Sequence, residues 1–142
     1  MNKKQVLNGY SLLCAALLGA TVPALAQAEM SVDWTWKVAH RCNNTSPELA
    51  VTNIPAGTAS FAVQMNDLDF QNKDHGGGSL PHAGGASATI AEGALKSYLG
   101  PCPNNFYSFG HSYRIAVRAL AADGSELGQA NKAKDFSAST AK

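Results

Sequence analysis

The stretch Ser31-Val-Asp-Trp-Thr-Trp-Lys-Val38 decides the fold class of this chain. Every second residue in it, beginning at Val32 and continuing through Trp34 and Trp36, is apolar, and the residues between them are polar. Side chains alternate between the two faces of a β-strand, so this period of two predicts a strand with one buried face. We therefore predict that residues 31–38 are extended, with Val38 on the buried side.

The same alternation recurs further along the chain. In His111–Leu120, apolar Tyr113 and Ile115 fall on one face and the two arginines fall on the other. Turn signals, Pro-Ala-Gly at 55–57 and Asp-Gly at 123–124, mark where the chain reverses. The remaining predicted elements are strands over Glu48–Asn53 and Ser60–Met65, and a short strand or a terminal helix over Glu126–Phe136. We expect a mainly β fold, an antiparallel two-sheet β sandwich with little helix.

A glycine-rich segment, Gln71–Ala88, lies between these predicted strands. It holds five glycines together with His75 and His82. Loops longer than about 12 to 15 residues are uncommon in compact domains unless they are functional or disordered. We therefore predict a long loop here, which either forms one wall of a site or is mobile.

The first 28 residues have the layout of a secretory signal peptide. Two lysines precede an apolar run, Tyr10–Val22, which is followed by the small-residue pattern Ala26-Gln-Ala28. The run is shorter than the roughly 20 apolar residues of a transmembrane helix, so no transmembrane segment is expected. Cleavage after Ala28 would leave residues 29–142 as one domain in the periplasm or outside the cell, with residues 137–142 as a frayed tail.

The cysteine count fits this export route. Cys14 would leave with the signal peptide, so the mature chain would hold one pair, Cys42 and Cys102. In an oxidising compartment such a pair predicts a disulfide. Closing a loop of about 60 residues contributes on the order of 4 kcal/mol to stability, a large share for a small domain.

Several kinds of function are disfavoured by the residues present. The 11 basic and 10 acidic residues lack the clustered positive charge that nucleic-acid binding requires. A metal site on the segment with His75 and His82 would lack a supporting Cys or an HExxH helix, and no cofactor is expected. A hydrolase needs a nucleophile beside a base, but His111 and Ser112 are strand neighbours and point to opposite faces. No catalytic residue and no enzyme activity are predicted.

Three motifs occur in a fixed order and carry the clearest functional signal. The first is Asn44-Thr-Ser-Pro-Glu-Leu49, which leads into Ile54-Pro-Ala-Gly-Thr-Ala-Ser-Phe-Ala-Val63. The second is Asp67-Leu-Asp69, and the third is Gly100-Pro-Cys-Pro103 followed by Gly110-His-Ser-Tyr113. Together they resemble the N-x-SP-x-L, P-x-GT-x-SFAV, D-P-D and GP-x-P, G-x-H-x-Y motifs of the phosphatidylethanolamine-binding proteins, also called Raf kinase inhibitor-like proteins. The chain is similar to a shortened, exported bacterial member of that family.

The resemblance implies a two-sheet β fold with a small surface cavity for phosphate-like or acetate-like anions, including phospholipid head groups. In such a site, histidine N–H, tyrosine O–H and the backbone N–H groups of Gly100 and Cys102 would surround anionic oxygens. Pro101 and Pro103 would stiffen the loop, and Asp67 would accept a hydrogen bond from a histidine. The candidate ligand-binding residues are Asp67, His75, Gly100, Pro101, Cys102, Pro103, His111 and Tyr113.

Two functions remain open on the sequence alone. The first is an exported small-ligand protein whose partner is an anion or a phospholipid head group. The second is a protein-interaction module that inhibits a protease or another exported enzyme. In that case the glycine-rich loop, residues 76–85, would form the contact surface with the protein partner.

Overall fold

The computed structural model describes residues 28–142. All but the last residue of the predicted signal peptide, together with Cys14, therefore lies outside the described residues. Among residues 28–142, no helix has the length and hydrophobicity of a membrane-spanning segment.

Two antiparallel sheets make up the described part of the chain, which confirms the predicted mainly β, two-sheet fold with little helix. The elements are β1 (Ser31–Trp34), a 3₁₀ helix (Val38–His40), β2 (Leu49–Thr52), β3 (Ser60–Asp67), β4 (Lys73–Pro81), β5 (Ser87–Ile90), β6 (Ser97–Tyr98), β7 (His111–Leu120) and β8 (Glu126–Phe136). One sheet has the strand order β1-β2-β5, and the other has the order β6-β4-β3-β7-β8.

The core lies between the sheets and follows the alternation of the sequence. On β7, Tyr113, Ile115 and Val117 are fully buried, as predicted, whereas Arg118 is exposed. Fully burying one such side chain contributes about 1.5–3 kcal/mol, so this face of β7 is a major source of stability. The facing sheet and the neighbouring strands add buried Val32, Trp34, Leu49, Val51, Phe61, Val63, Met65 and Phe136.

The C-terminal residues 137–142 are held in place. The Lys142 N–H donates to the Trp36 carbonyl oxygen at 2.9 Å, and the Val38 N–H donates to the Lys142 carbonyl oxygen at 3.0 Å. The prediction of a frayed tail is therefore wrong. Strand β1 ends at Trp34, so Val38 lies outside it. Val38, predicted to be buried, is 50% exposed and begins the 3₁₀ helix.

The glycine-rich segment is largely a strand, so the prediction of one long loop is wrong. Strand β4 pairs with β3 along most of its length and with β6 through Gly76 and Gly77. These glycines are needed because a Cβ on Gly76 would collide with the Ser97 carbonyl oxygen, and one on Gly77 with the Val63 carbonyl oxygen. A contact surface over residues 76–85 would therefore consist mostly of strand.

The predicted disulfide joins Cys42 and Cys102, whose Cα atoms lie 4.5 Å apart. Beside it, the Cys42 N–H donates to the Pro101 carbonyl oxygen at 2.8 Å. The bond therefore ties the segment between β1 and β2 to the loop that precedes β7.

Candidate functional site

A cavity of about 490 Å³ opens at the end of the larger sheet where β3 ends and β4 and β7 begin. The strand register explains why its side chains meet. Lys73 on β4 lies opposite Asp67 on β3, and Asp67 lies opposite Tyr113 on β7. His75 and His111 are each two residues away along their strands, so they share a face with Lys73 and Tyr113. Six of the predicted residues line the cavity: Asp67, His75, Gly100, Cys102, His111 and Tyr113.

Asp67 and His111 form the central pair of the cavity. The Nδ1 atom of His111 lies 2.7 Å from Oδ2 of Asp67, and the Asp67 side chain is almost fully buried. The other oxygen of Asp67 accepts the Asp69 N–H at 3.0 Å, and Oδ2 of Asp69 accepts the Ser112 N–H at 2.6 Å. Asp67 therefore accepts a histidine hydrogen bond as predicted, and the neighbouring backbone fixes its orientation.

His75 is held in a similar way by the backbone. Its Nδ1 lies 3.0 Å from the Leu99 carbonyl oxygen, and the Leu99 N–H donates to the His75 carbonyl oxygen at 2.7 Å. Its ring meets the Tyr113 ring edge-on, with 5.4 Å between the centroids. A carbonyl oxygen only accepts, so Nδ1 carries the proton and Nε2 is left for a ligand. The unrecognised strand β4 is what brings His75 to the cavity.

Tyr113 supplies a buried hydroxyl group. Its side chain is fully buried, and among the described residues its hydroxyl has no hydrogen-bond partner. Burial raises the pKa of the Tyr113 phenol, and the Asp67 carboxylate raises it further. The phenol is therefore neutral and keeps its proton for donation. A buried donor without a partner costs about 1–3 kcal/mol.

The loop Gly100–Pro103 differs from its predicted role. The Gly100 N–H donates to Oδ1 of Asn44 at 3.1 Å, so it is already used within the protein. Pro101 and Pro103 are buried and do not line the cavity. The proximity of the Cys102 N–H to the Tyr113 oxygen opposes the rise in the phenol pKa. Of the two predicted backbone donors, the Gly100 N–H is therefore occupied by Asn44, and the Cys102 N–H lies beside the Tyr113 oxygen.

Several lining residues were not predicted. Lys73 is the most consequential, because within residues 28–142 its ammonium group forms no ion pair and lies 5.8 Å from the centre of the Phe70 ring. A strand predicted over residues 73–75 would have placed Lys73 and His75 on the same face. That strand was not predicted, because the three glycines that follow show no alternation of polar and apolar side chains. The other unpredicted lining residues are Cys42, Asn44, Asp69, Phe70, Leu99 and Asn104.

The part of the chain that the structure describes holds no group of three or more His, Cys, Asp or Glu side chains placed to bind a metal ion. The residues that line the cavity offer hydrogen-bond donors, one ammonium group and carboxylates, which suit a polar organic or phosphate-containing ligand.

Comparison with known proteins agrees with the motif order. The family model described as phosphatidylethanolamine-binding protein matches residues 18–141. The match spans every residue that lines the cavity. No curated protein matches the chain.

Proposed function

Because this chain belongs to the phosphatidylethanolamine-binding protein family, we propose that it binds a small anionic ligand in the cavity beside His111. The ligand is phosphate or the phosphate group of a phospholipid head group. Family membership supports a ligand-binding domain in general. The Asp67–His111 hydrogen bond of 2.7 Å is the observation that carries the anion assignment.

The chemistry of that pair favours an anion. The Asp67 carboxylate only accepts hydrogen bonds, so the Nδ1 atom of His111 carries a proton. The Nε2 atom then donates a hydrogen bond only in the positively charged form of the ring. In that form the ring would donate one hydrogen bond to the Asp67 carboxylate at Nδ1 and one to a phosphate oxygen at Nε2.

Other groups complete an anion site around His111. The Lys73 ammonium supplies a positive charge that does not depend on histidine protonation. The Tyr113 hydroxyl and the Cys102 N–H supply neutral donors. These three groups come from β4, β7 and the disulfide-bonded loop, so the fold places them before a ligand arrives.

A carboxylate in the lining also suits a zwitterionic head group. Oδ2 of Asp69 accepts the Ser112 N–H, while its other oxygen has no hydrogen bond within the described residues. An ammonium group would find this oxygen while its phosphate contacts His111 and Lys73. Phosphoethanolamine carries both charges and is the ligand that tests this arrangement most directly.

Isothermal titration calorimetry with phosphate and with phosphoethanolamine tests the proposal. We expect saturable binding that weakens at least tenfold in His111→Ala. The matched control is His82→Ala, because His82 lies outside this cavity and bonds the Gly85 carbonyl oxygen. The assignment is wrong if the unaltered protein binds neither ligand, or if His111→Ala binds as tightly as the parent.

We also propose that the protein is exported and acts by binding rather than by catalysis. The Cys42–Cys102 disulfide supports export, because disulfides persist in oxidising compartments. His111 and Ser112 are adjacent on β7, which disfavours a nucleophile and base pair. Cell fractionation tests the location, and recovery of the protein with reduced thiols in the cytoplasm would contradict it.

A further inference from the structure

The Cys42–Cys102 disulfide lies at the edge of the cavity rather than in the core. Both cysteines line the cavity, and both are exposed. Reduction of a disulfide begins when a thiolate attacks one of its sulfur atoms, so exposed disulfides are reduced more readily than buried ones. This bond is therefore within reach of a dissolved thiol.

The disulfide fastens the loop that precedes β7 to the segment that precedes β2. Next to it, the Cys42 N–H donates to the Pro101 carbonyl oxygen at 2.8 Å, and the Gly100 N–H donates to Oδ1 of Asn44 at 3.1 Å. The two cysteines are 60 positions apart in the sequence. Without the covalent bond, the two segments would be held together by hydrogen bonds and packing alone.

The fastened loop positions two groups of the cavity. The Leu99 carbonyl oxygen lies 3.0 Å from Nδ1 of His75 and so orients the His75 ring. Three residues further along, the Cys102 N–H lies beside the Tyr113 hydroxyl oxygen. A shift of residues 99–102 would therefore turn the His75 ring and move a backbone donor away from Tyr113.

The central pair of the cavity is positioned without this loop. Asp67 lies opposite Tyr113 in the pairing of β3 with β7, and His111 lies opposite Phe136 in the pairing of β7 with β8. The sheet would therefore keep Asp67 and His111 together after the loop is released. Reduction of the disulfide would loosen one side of the cavity and leave the other side in place.

We propose that the Cys42–Cys102 disulfide is a redox switch for the cavity. The oxidised protein binds the anionic ligand, and reduction by a dithiol weakens that binding because the loop over residues 99–102 is no longer fastened. This inference rests on the proposed function, since it assumes that the cavity binds an anion. It adds a means by which binding at that site is regulated.

The reductant is a dithiol, either a small molecule or an exported dithiol protein. One of its thiolates attacks a sulfur atom of the Cys42–Cys102 bond and forms a mixed disulfide, while the other cysteine leaves as a thiolate and takes up a proton. The second thiol of the reductant then displaces the remaining cysteine. Two electrons and two protons pass to the protein, and the dithiol becomes a disulfide.

The coupling between ligand and disulfide has to act in both directions. If the oxidised form binds the anion tenfold more tightly than the reduced form, saturating anion must favour the oxidised form by the same factor. For this two-electron couple, a factor of ten corresponds to about 30 mV. Bound anion should therefore make the reduction potential of the disulfide about 30 mV more negative.

Calorimetry with phosphate tests the switch. The parent is measured oxidised and again after reduction by dithiothreitol under anaerobic conditions, and we expect phosphate affinity to fall about tenfold on reduction. The control is the double variant Cys42→Ser and Cys102→Ser, which should bind like the reduced parent whether dithiothreitol is present or not. Equal phosphate affinity of the oxidised and the reduced parent would overturn the switch.

Circular dichroism separates a switch from a general loss of structure. The reduced parent should keep the far-ultraviolet spectrum of the oxidised protein, because both sheets are formed by strands outside the disulfide-bonded loop. If the reduced protein is unfolded instead, the disulfide supports the whole fold, and the proposed switch is wrong.

A redox titration measures the coupling from the other side. The parent is equilibrated in mixtures of reduced and oxidised dithiothreitol, with and without saturating phosphate, and the fraction with free thiols is read by alkylation and mass analysis. Phosphate should move the midpoint by about 30 mV towards more negative potential. His111→Ala is the control and should show little movement. A midpoint in the parent that phosphate does not move would contradict the switch.

The switch and the proposed function fail with different results. If the oxidised protein binds phosphate or phosphoethanolamine and the reduced protein binds it equally well, the proposed function stands and the switch alone is wrong. If the oxidised protein binds neither ligand, the proposed function is wrong and the switch fails with it.

Discussion

Lys73 lies directly opposite Asp67 in the pairing of β4 with β3, yet the two form no ion pair, because the Asp67 carboxylate is bonded to His111. The two oxygens of the buried Asp67 carboxylate are bonded to the Asp69 N–H and to His111. The cavity therefore contains a hydrogen-bonded carboxylate and, from Lys73, an ammonium group that forms no ion pair within the described residues.

Removing that charge should weaken anion binding. Lys73→Met keeps the aliphatic stem of the side chain and removes the ammonium group. A charged hydrogen bond contributes about 1.5–3 kcal/mol, so we expect phosphate affinity to fall by roughly 10-fold to 100-fold. Calorimetry measures the change. Lys96→Met is the control, because Lys96 donates to the Gly93 carbonyl oxygen and does not line the cavity. An equal loss of phosphate affinity in the two variants would show that Lys73 does not contact the anion.

Asp33 should stabilise the fold in a pH-dependent way. Lys132 and Lys134, on the edge strand β8, contact its carboxylate at 2.8 and 2.7 Å and lower the pKa of Asp33 to about 2. Because the folded pKa lies below the unfolded one, the stabilisation is present above about pH 4 and is lost as pH falls towards 2. The Asp33 side chain is 59% exposed, so the contribution is limited to about 1 kcal/mol or less.

Urea unfolding of Asp33→Asn and of the parent measures the pH-dependent contribution of Asp33 to stability. The free energy of unfolding should differ at pH 7 and converge near pH 2. Asp135→Asn, on an exposed position of β8, is the control and should show no comparable difference. If the difference in the free energy of unfolding between Asp33→Asn and the parent stays constant from pH 7 to pH 2, the ion pairs of Asp33 do not contribute to stability.

The glycines of β4 should be far less tolerant than those of the nearby loop. Gly76 and Gly84 both have positive φ, 68° and 102°, so alanine at either costs about 1 kcal/mol in backbone strain. At Gly76 a Cβ would also collide with the Ser97 carbonyl oxygen, whereas nothing lies within 4 Å of a Cβ at Gly84. Gly76→Ala should therefore cost about 3 kcal/mol or more. Thermal unfolding compares the two variants, and equal melting temperatures would argue against the close β4–β6 pairing.

The sequence predicted the strands whose side chains alternate, and it missed β4, β5 and β6. β7 was recognised because Tyr113 and Ile115 alternate with polar residues, but β4 carries three consecutive glycines that show no alternation. Lys73 was missed for the same reason. The hydrogen bond from the Gly100 N–H to Asn44 could not be predicted from the sequence either, because it joins residues 56 positions apart.

Motif order, by contrast, was informative about the site. Asp67 and His111 come from separate motifs, and their hydrogen bond is the contact that the resemblance implied. What motifs do not encode is which backbone donors are already occupied within the folded chain. In the candidate site, the groups that face the cavity are therefore mostly side chains, since the Gly100 N–H is occupied and Pro101 and Pro103 do not line it.

Tyr113→Phe should have opposite effects on stability and on ligand binding. In the ligand-free protein the change removes a buried hydroxyl that has no partner among the described residues. The melting temperature should therefore stay the same or rise, corresponding to a gain of up to about 1 kcal/mol. If the hydroxyl donates to the bound anion, the same variant loses a hydrogen bond, and phosphate should raise its melting temperature less than it raises that of the parent.

Tyr98→Phe separates this effect from a general response to losing a tyrosine hydroxyl. The Tyr98 hydroxyl is buried, donates to the Met65 sulfur at 3.5 Å and does not line the cavity. Tyr98→Phe should show the same phosphate-induced shift in melting temperature as the parent.

If Tyr113→Phe also keeps the full shift, the Tyr113 hydroxyl does not contact the ligand, and the anion is held by His111, Lys73 and the Cys102 N–H without it. If Tyr113→Phe instead unfolds at a much lower temperature without ligand, its hydroxyl already has a partner in the free protein, and the unpaired donor inferred from the geometry does not exist.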